Sequence, residues 1–111
     1  MGPHQLKEYL LCVQRLQPLS PAELERAFGE WMQGDERARR LIEERHLRSV
    51  VAWVQPYRVP GTGLERLIEA GNRGLLKGLR RMPGLKAGQL EDRLRTAVEE
   101  AVESLLTARQ R

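Results

Sequence analysis

Cysteine and long apolar runs are scarce in this chain of 111 residues. Its single cysteine, Cys12, excludes an internal disulfide and any cysteine-based metal cluster, and we expect it to be a small buried hydrophobe. No run of about 18 apolar residues occurs, so no transmembrane helix is expected. The chain also lacks an apolar segment of the secretory type at its start. We therefore expect a cytoplasmic protein that makes no membrane contact.

Aromatic residues are also few, at 5% of the chain, whereas Leu, Ala, Glu and Arg dominate. This composition favours helices over sheet. The length is that of one domain, residues 1–111, with a modest core. Apolar residues recur at helical spacing between capping, Gly and Pro signals. The predicted helices run from Leu6 to Leu16, from Ser20 to Gly34, from Asp35 to Pro56, from Thr62 to Met82 and through Leu90 to Leu105. The sequence thus predicts an all-α bundle of about five helices.

Signatures of catalysis and of metal binding are absent as well. The segment from Gly61 to Gly63 precedes a helix, but no strand leads into it and no Gly-Lys-Ser/Thr follows, which argues against a phosphate loop. His46 falls on an apolar helix face, which is typical of a hydrogen-bonded core histidine. His, Cys and carboxylate residues do not show metal-ligand spacing. We therefore expect no enzyme, no cofactor, no metal and no small-molecule substrate.

The helix predicted from Thr62 to Met82 carries an unusual number of glycines. Thr62 followed by Glu65 is a capping-box pattern, which predicts the helix start. Each of Gly71, Gly74 and Gly78 costs about 1 kcal/mol relative to alanine inside a helix. Their spacing puts them on the core-facing side or its edge, so we expect another helix to approach closely there.

The opposite side of this helix is predicted to face solvent. At a rotation of about 100° per residue, six side chains lie together on this side of the helix: Glu65, Glu69, Asn72, Arg73, Leu76 and Arg80. Leu76 stands in the middle of this polar side. Two interpretations remain open, because a lone exposed leucine is ordinary but can also anchor a partner.

Positive charge is concentrated in the middle of the chain, whose formal net charge is +4. Seven basic residues face two acidic ones between Tyr57 and Lys86, whereas four basic residues face five acidic ones from Gly88 onward. Such a run can attract nucleic acid or an acidic protein, or can simply be a solvated helix face. The candidate nucleic-acid contacts are Arg58, Lys77, Arg80 and Arg81.

The segment from Leu67 to Lys77 resembles the Asp-Leu-Ile-Gln-Glu-Gly-Asn-Ile-Gly-Leu-Met-Lys helix of primary bacterial sigma factors. The two patterns align without a gap from Gly34 to Lys77, in the first half of that family's central helical domain. In sigma factors this helix docks onto the β′ coiled coil of core RNA polymerase. The resemblance therefore implies a polymerase-binding face, made here by Glu65, Arg66, Glu69, Asn72, Arg73 and Leu76. Arg66 replaces the family's Asp, and Glu69-Ala70 replaces its Gln-Glu pair.

The resemblance weakens further along the chain. Sigma factors carry aromatic residues there that stack on flipped promoter bases, whereas this chain has Thr96-Ala97 and Glu99-Glu100, and no aromatic residue after Tyr57. DNA binding is therefore expected to be weak or absent. The resemblance implies a polymerase-binding regulator, competitor or half of a split sigma factor that does not open promoters. The alternatives are an adaptor or scaffold that binds another protein and, third, a non-specific nucleic-acid binder.

Overall fold

A computed structural model describes residues 3–81 and 87–109 of the chain. These residues form five α-helices and one short 3-10 turn, Gln55–Tyr57, and no β-strand occurs among them. The helices are α1 (Pro3–Gln14), α2 (Pro21–Met32), α3 (Glu36–Val54), α4 (Leu64–Arg80) and α5 (Ala87–Arg109). The prediction of an all-α bundle is confirmed. No helix within these two ranges combines the length and apolarity needed to cross a bilayer.

Two helices begin at the caps that the sequence predicts. At the start of α2, the Glu23 backbone N–H donates to the Ser20 hydroxyl and the Ser20 backbone N–H donates to the Glu23 carboxylate, both over 3.1 Å. At the start of α3, the Asp35 carboxylate accepts from the backbone N–H groups of Arg37, over 2.8 Å, and Ala38, over 3.3 Å. Each cap satisfies backbone donors that have no partner inside the helix.

A glycine turn joins α2 to α3. Gly34 has a φ of 98°, a left-handed conformation that side-chain-bearing residues rarely adopt. Its backbone N–H donates to the Trp31 carbonyl over 2.8 Å, and the Asp35 N–H donates to the Glu30 carbonyl over 3.1 Å. This pair of bonds is the Schellman ending of a helix, and it turns α3 back so that it packs on α2.

The start of α4 lies one residue later than the sequence predicts. The N-cap is Gly63, not Thr62, and its carbonyl accepts from the N–H groups of Arg66 and Leu67. An added Cβ on Gly63 would collide with the Glu65 carboxylate, so that side chain folds back over the helix start. At its other end α4 stops at Arg80, and the predicted end at Met82 lies outside the described residues.

The core lies between α3, α4 and α5, with α2 packed against it. Its fully buried side chains are aliphatic: Ile42, Val50, Val54, Leu67, Ile68, Leu75, Leu79, Leu90, Leu94, Val98 and Val102. The periodic apolar stripes predicted for the last three helices thus point into one shared core. From helix α1, Val13 is also buried.

The glycines of α4 lie at close helix contacts, as predicted. An ideal Cβ on Gly74 would stand 2.6 Å from the Ala97 carbonyl oxygen, and one on Gly78 would stand 3.0 Å from the Ala97 Cβ. On Gly71 it would stand 2.7 Å from a Val50 methyl carbon of α3. Glycine therefore lets α4 approach both α3 and α5 more closely than alanine would.

Two further predictions can be compared with the structure. His46 is buried, and its Nδ1–H donates to the Ile42 carbonyl over 2.7 Å, so the prediction of a hydrogen-bonded core histidine is confirmed. The prediction that Cys12 is buried was wrong, because it is exposed. Among residues 5–14 of α1, Val13 is the buried side chain, and Cys12, its neighbour in sequence, is exposed.

Candidate protein-binding site on the fourth helix

The side of α4 that faces away from the core divides into two stripes. The first, which we call the border stripe, is half-buried and consists of Glu65, Glu69, Asn72 and Leu76. The second, which we call the basic stripe, is exposed and consists of Arg66, Arg73, Lys77 and Arg80. The predicted partner-binding residues therefore do not share one open face. Four of them form the border stripe, and the other two belong to the basic stripe.

Helix α1 covers part of the border stripe. The Asn72 Nδ2 group donates to the Tyr9 hydroxyl oxygen over 3.0 Å, and the Asn72 Oδ1 atom is buried without a hydrogen-bond partner among the described residues. Both side chains are half-buried. This contact could not be predicted from local sequence patterns, because its two residues are 63 positions apart on different helices.

Leu76 is half-buried, so the expectation that it stands exposed in the middle of a polar side was wrong. It lines a groove of about 650 Å³ formed by the end of α2, the first half of α3 and the end of α4. Trp31, Met32 and Leu79 supply the other large apolar side chains of this groove, and Met32 is 42% exposed. Helical periodicity alone groups Trp31 and Met32 with the apolar stripe of α2 and does not reveal that they extend the apolar surface around Leu76.

The rim of the groove carries balanced charge. The Arg39 guanidinium donates to the carboxylates of Glu36, over 2.7 Å, and Glu43, over 3.0 Å. The hydrogen bond to Glu36 is the main cause that raises the pKa of Arg39. Arg80 also lines the groove. With apolar walls and two charges of each sign at its rim, the groove is suited to an apolar side chain of a protein partner.

Acidic charge on α4 comes from Glu65 and Glu69, both half-buried on the same side of the helix as Leu76. Among the residues that the structure describes, no three His, Cys, Asp or Glu side chains are grouped closely enough to hold a metal ion. Glu65 and Glu69 thus give this side of α4 its negative charge.

The candidate nucleic-acid contacts are all exposed but do not form one cluster. Lys77 and Arg80 belong to the basic stripe, and Arg81 follows directly after α4. Arg58 instead follows the 3-10 turn and precedes α4. With 17 residues, α4 is about 25 Å long, so Arg58 lies toward the opposite end from Arg81.

Comparison with known proteins gives one informative match, and no protein-family model matches the chain. Over 63 residues it is 38% identical to the RNA polymerase sigma-K factor of Bacillus subtilis (strain 168). The chain is similar to part of a sigma factor. The matched stretch is 57% of this chain but only 21% of the sigma-K factor. This partial similarity indicates relatedness to sigma factors.

Proposed function

We propose that this protein binds core RNA polymerase through the border stripe of α4 and does not open promoter DNA. The observation that carries this proposal is the partial similarity to a sigma factor. The gap-free sigma pattern from Gly34 to Lys77, which includes most of α4, agrees with it. In the sigma family the corresponding helix docks onto the β′ coiled coil.

Leu76 is the proposed anchor of this docking. Interfaces draw most of their binding energy from a few central, desolvated side chains. Leu76 lies beside Trp31 and the exposed Met32, so a partner side chain entering the groove would lose water on several sides. Glu65 and Glu69 would steer and orient a basic surface such as the β′ coiled coil that sigma factors recognise.

The proposal that this protein does not open promoters rests on the side chains of α5. Thr96 and Ala97 stand where sigma factors have their tryptophan pair, and base stacking is worth about 1–3 kcal/mol per base. Ala97 is committed to packing, since its carbonyl and Cβ lie against Gly74 and Gly78. Glu99 and Glu100 add negative charge that repels phosphates. The proposed role is therefore that of a regulator, a competitor of a sigma factor, or half of a split one.

Binding to immobilised core polymerase tests the proposal. Leu76→Glu should weaken binding by about 2 kcal/mol or more, because it puts a charge into the apolar groove. Since Leu76 is half-buried, circular dichroism must show that the variant folds, and the more exposed Met32→Glu serves as a second variant. Leu11→Glu is the control, because Leu11 is 49% exposed on α1 and does not line the groove.

Charge reversal gives a separate kinetic test. Glu69→Arg should weaken polymerase binding mainly through slower association, and the loss should shrink at high salt because screening removes the steering. If the folded Leu76, Met32 and Glu69 variants all bind as well as wild type, the border stripe is not the docking surface.

A second function, that of an adaptor for a different protein, is favoured by Arg66. This residue is exposed beside the border stripe, where sigma factors have an acidic residue. A cation at this position repels a basic partner and accepts an acidic one. Failure of the wild-type protein to bind core polymerase would favour the adaptor.

A further inference from the structure

Every exposed position of α4 carries a positive charge. Every other described side chain of this helix is buried or half-buried. At 3.6 residues per turn, the four cations of the basic stripe fall within an arc of about 60° and extend over about 21 Å of the helix axis. The stripe is thus a line of four cations along one face of a helix.

Stabilisation of the helix does not explain the whole stripe. Lys77 and Arg80 lie in the last turn of α4, where a cation interacts favourably with the helix dipole. Arg66, however, lies in the first turn, where the same dipole disfavours a cation. The ion pairs formed among the described residues lie elsewhere, at Arg39 and Arg95.

From this arrangement, we infer that the basic stripe of α4 binds the phosphate backbone of double-stranded DNA without reading its sequence. The inference goes beyond the proposed function and does not depend on polymerase binding. Phosphate contacts need only positioned cations and hydrogen-bond donors. Over the length of the stripe, a duplex presents about a dozen phosphate charges.

The composition of the stripe favours duplex DNA over two other partners. Protein interfaces are depleted of charge at their centres and are anchored by apolar or aromatic side chains, and no exposed position of α4 offers one. Binding of single strands relies on aromatic side chains that stack on bases, and the chain has none after Tyr57. Glu100 of α5 lines the shallow groove beside Lys77 and so marks an edge of the stripe.

Fluorescence anisotropy with a labelled short duplex of arbitrary sequence tests the inference on the full chain. We expect a Kd of about 10⁻⁴–10⁻⁶ M at physiological salt, the usual range of non-specific binding. The logarithm of the binding constant should fall with the logarithm of salt concentration with a slope of about −3 to −4, since each neutralised phosphate contributes about −0.9. Each single Arg→Gln or Lys→Gln change in the stripe should reduce this slope by about 1.

A matched pair of variants separates the stripe from overall charge. The stripe variant carries Arg66→Gln, Arg73→Gln, Lys77→Gln and Arg80→Gln. The control variant removes the same charge from exposed positions elsewhere, through Arg15→Gln, Arg26→Gln, Arg37→Gln and Arg40→Gln. Circular dichroism must first show that both variants fold. The stripe variant should then bind the duplex at least tenfold more weakly than wild type, and the control variant should lose much less affinity.

Four outcomes would overturn the inference. The first is no binding of wild type to the duplex, and the second is an equal loss of affinity in the stripe and control variants. The third is single-stranded DNA of the same length binding as tightly as the duplex. The fourth is poly-glutamate binding as tightly as the duplex, which would point to an acidic protein instead.

Discussion

Replacing Gly74 by alanine should destabilise the protein, although alanine is the better helix former. The added Cβ would stand 2.6 Å from the Ala97 carbonyl oxygen, 2.9 Å from the Val98 Cα and 2.8 Å from the Ala101 Cβ, whereas ordinary contact begins near 3.4 Å. None of these atoms can rotate away, because all three are fixed to the backbone of α5. The two helices must therefore move apart.

The magnitude follows from two opposing effects. Alanine gains about 1 kcal/mol over glycine in a helix interior. Overpacking a well-filled core costs about 1–3 kcal/mol, and the upper end applies here because two of the three clashing atoms belong to the backbone itself. Separating α4 from α5 also loosens the buried side chains between them, such as Val98. The net loss in the free energy of unfolding should be about 2 kcal/mol.

Urea unfolding monitored by circular dichroism measures this loss. Gly29→Ala is the matched control, because Gly29 lies inside α2, is exposed, and has no neighbouring atom within 4 Å of an added Cβ. It should gain up to about 1 kcal/mol. If Gly74→Ala were stabilised as much as Gly29→Ala, the close contact between α4 and α5 would not exist as described.

Three further predictions concern caps and titrating groups. Ser20→Ala should lower the free energy of unfolding by about 1 kcal/mol in a urea titration, whereas the exposed, non-capping Ser104→Ala should have little effect. Hydrogen bonds from Ser20 hold the pKa of Glu23 below that of an ordinary glutamate. The ionised Glu23 carboxylate therefore stabilises the fold above the ordinary glutamate pKa, and this stabilisation is lost as pH falls through the lowered pKa of the folded state. The difference in urea midpoint between wild type and Glu23→Gln should shrink below about pH 4. A difference that stays constant with pH would contradict this. Burial, aided by a hydrogen bond to Glu103, raises the pKa of Tyr57. Its phenolate absorbance, taken as the difference between wild type and Tyr57→Phe, should therefore appear only above about pH 10. A difference signal that appears below this pH would contradict the raised pKa.

Local signals in the sequence predicted the helices well. Ser20 and Asp35 act on backbone groups within three residues, so their capping roles can be read from neighbouring positions. The glycines of α4 predicted a close helix contact, because each of them destabilises a helix and so has to be explained by a packing advantage. They did not predict that α3 and α5 are the helices in contact. The predicted start of α4 was wrong by one residue, and helix boundaries are commonly uncertain by one or two residues.

The candidate site was less predictable, because tertiary contacts decide how exposed it is. Helical phasing placed Asn72 and Leu76 on one side of α4 but gave no information on what covers that side. Tyr9 reaches Asn72 from α1, and the groove beside Leu76 depends on how α2 ends next to α4. Helical phasing also places the four cations of the basic stripe on one face, but the structure was needed to show that these are the exposed positions of α4.

The measurement that tests the central claim most directly is competition for core RNA polymerase. The wild-type protein is titrated into a complex of purified core polymerase with a fluorescently labelled sigma factor, and release of the label is recorded. Displacement by wild type and by Leu11→Glu, but not by folded Leu76→Glu, is the expected result. Binding to core polymerase without displacement, or equal displacement by all three proteins, would contradict docking through the border stripe of α4.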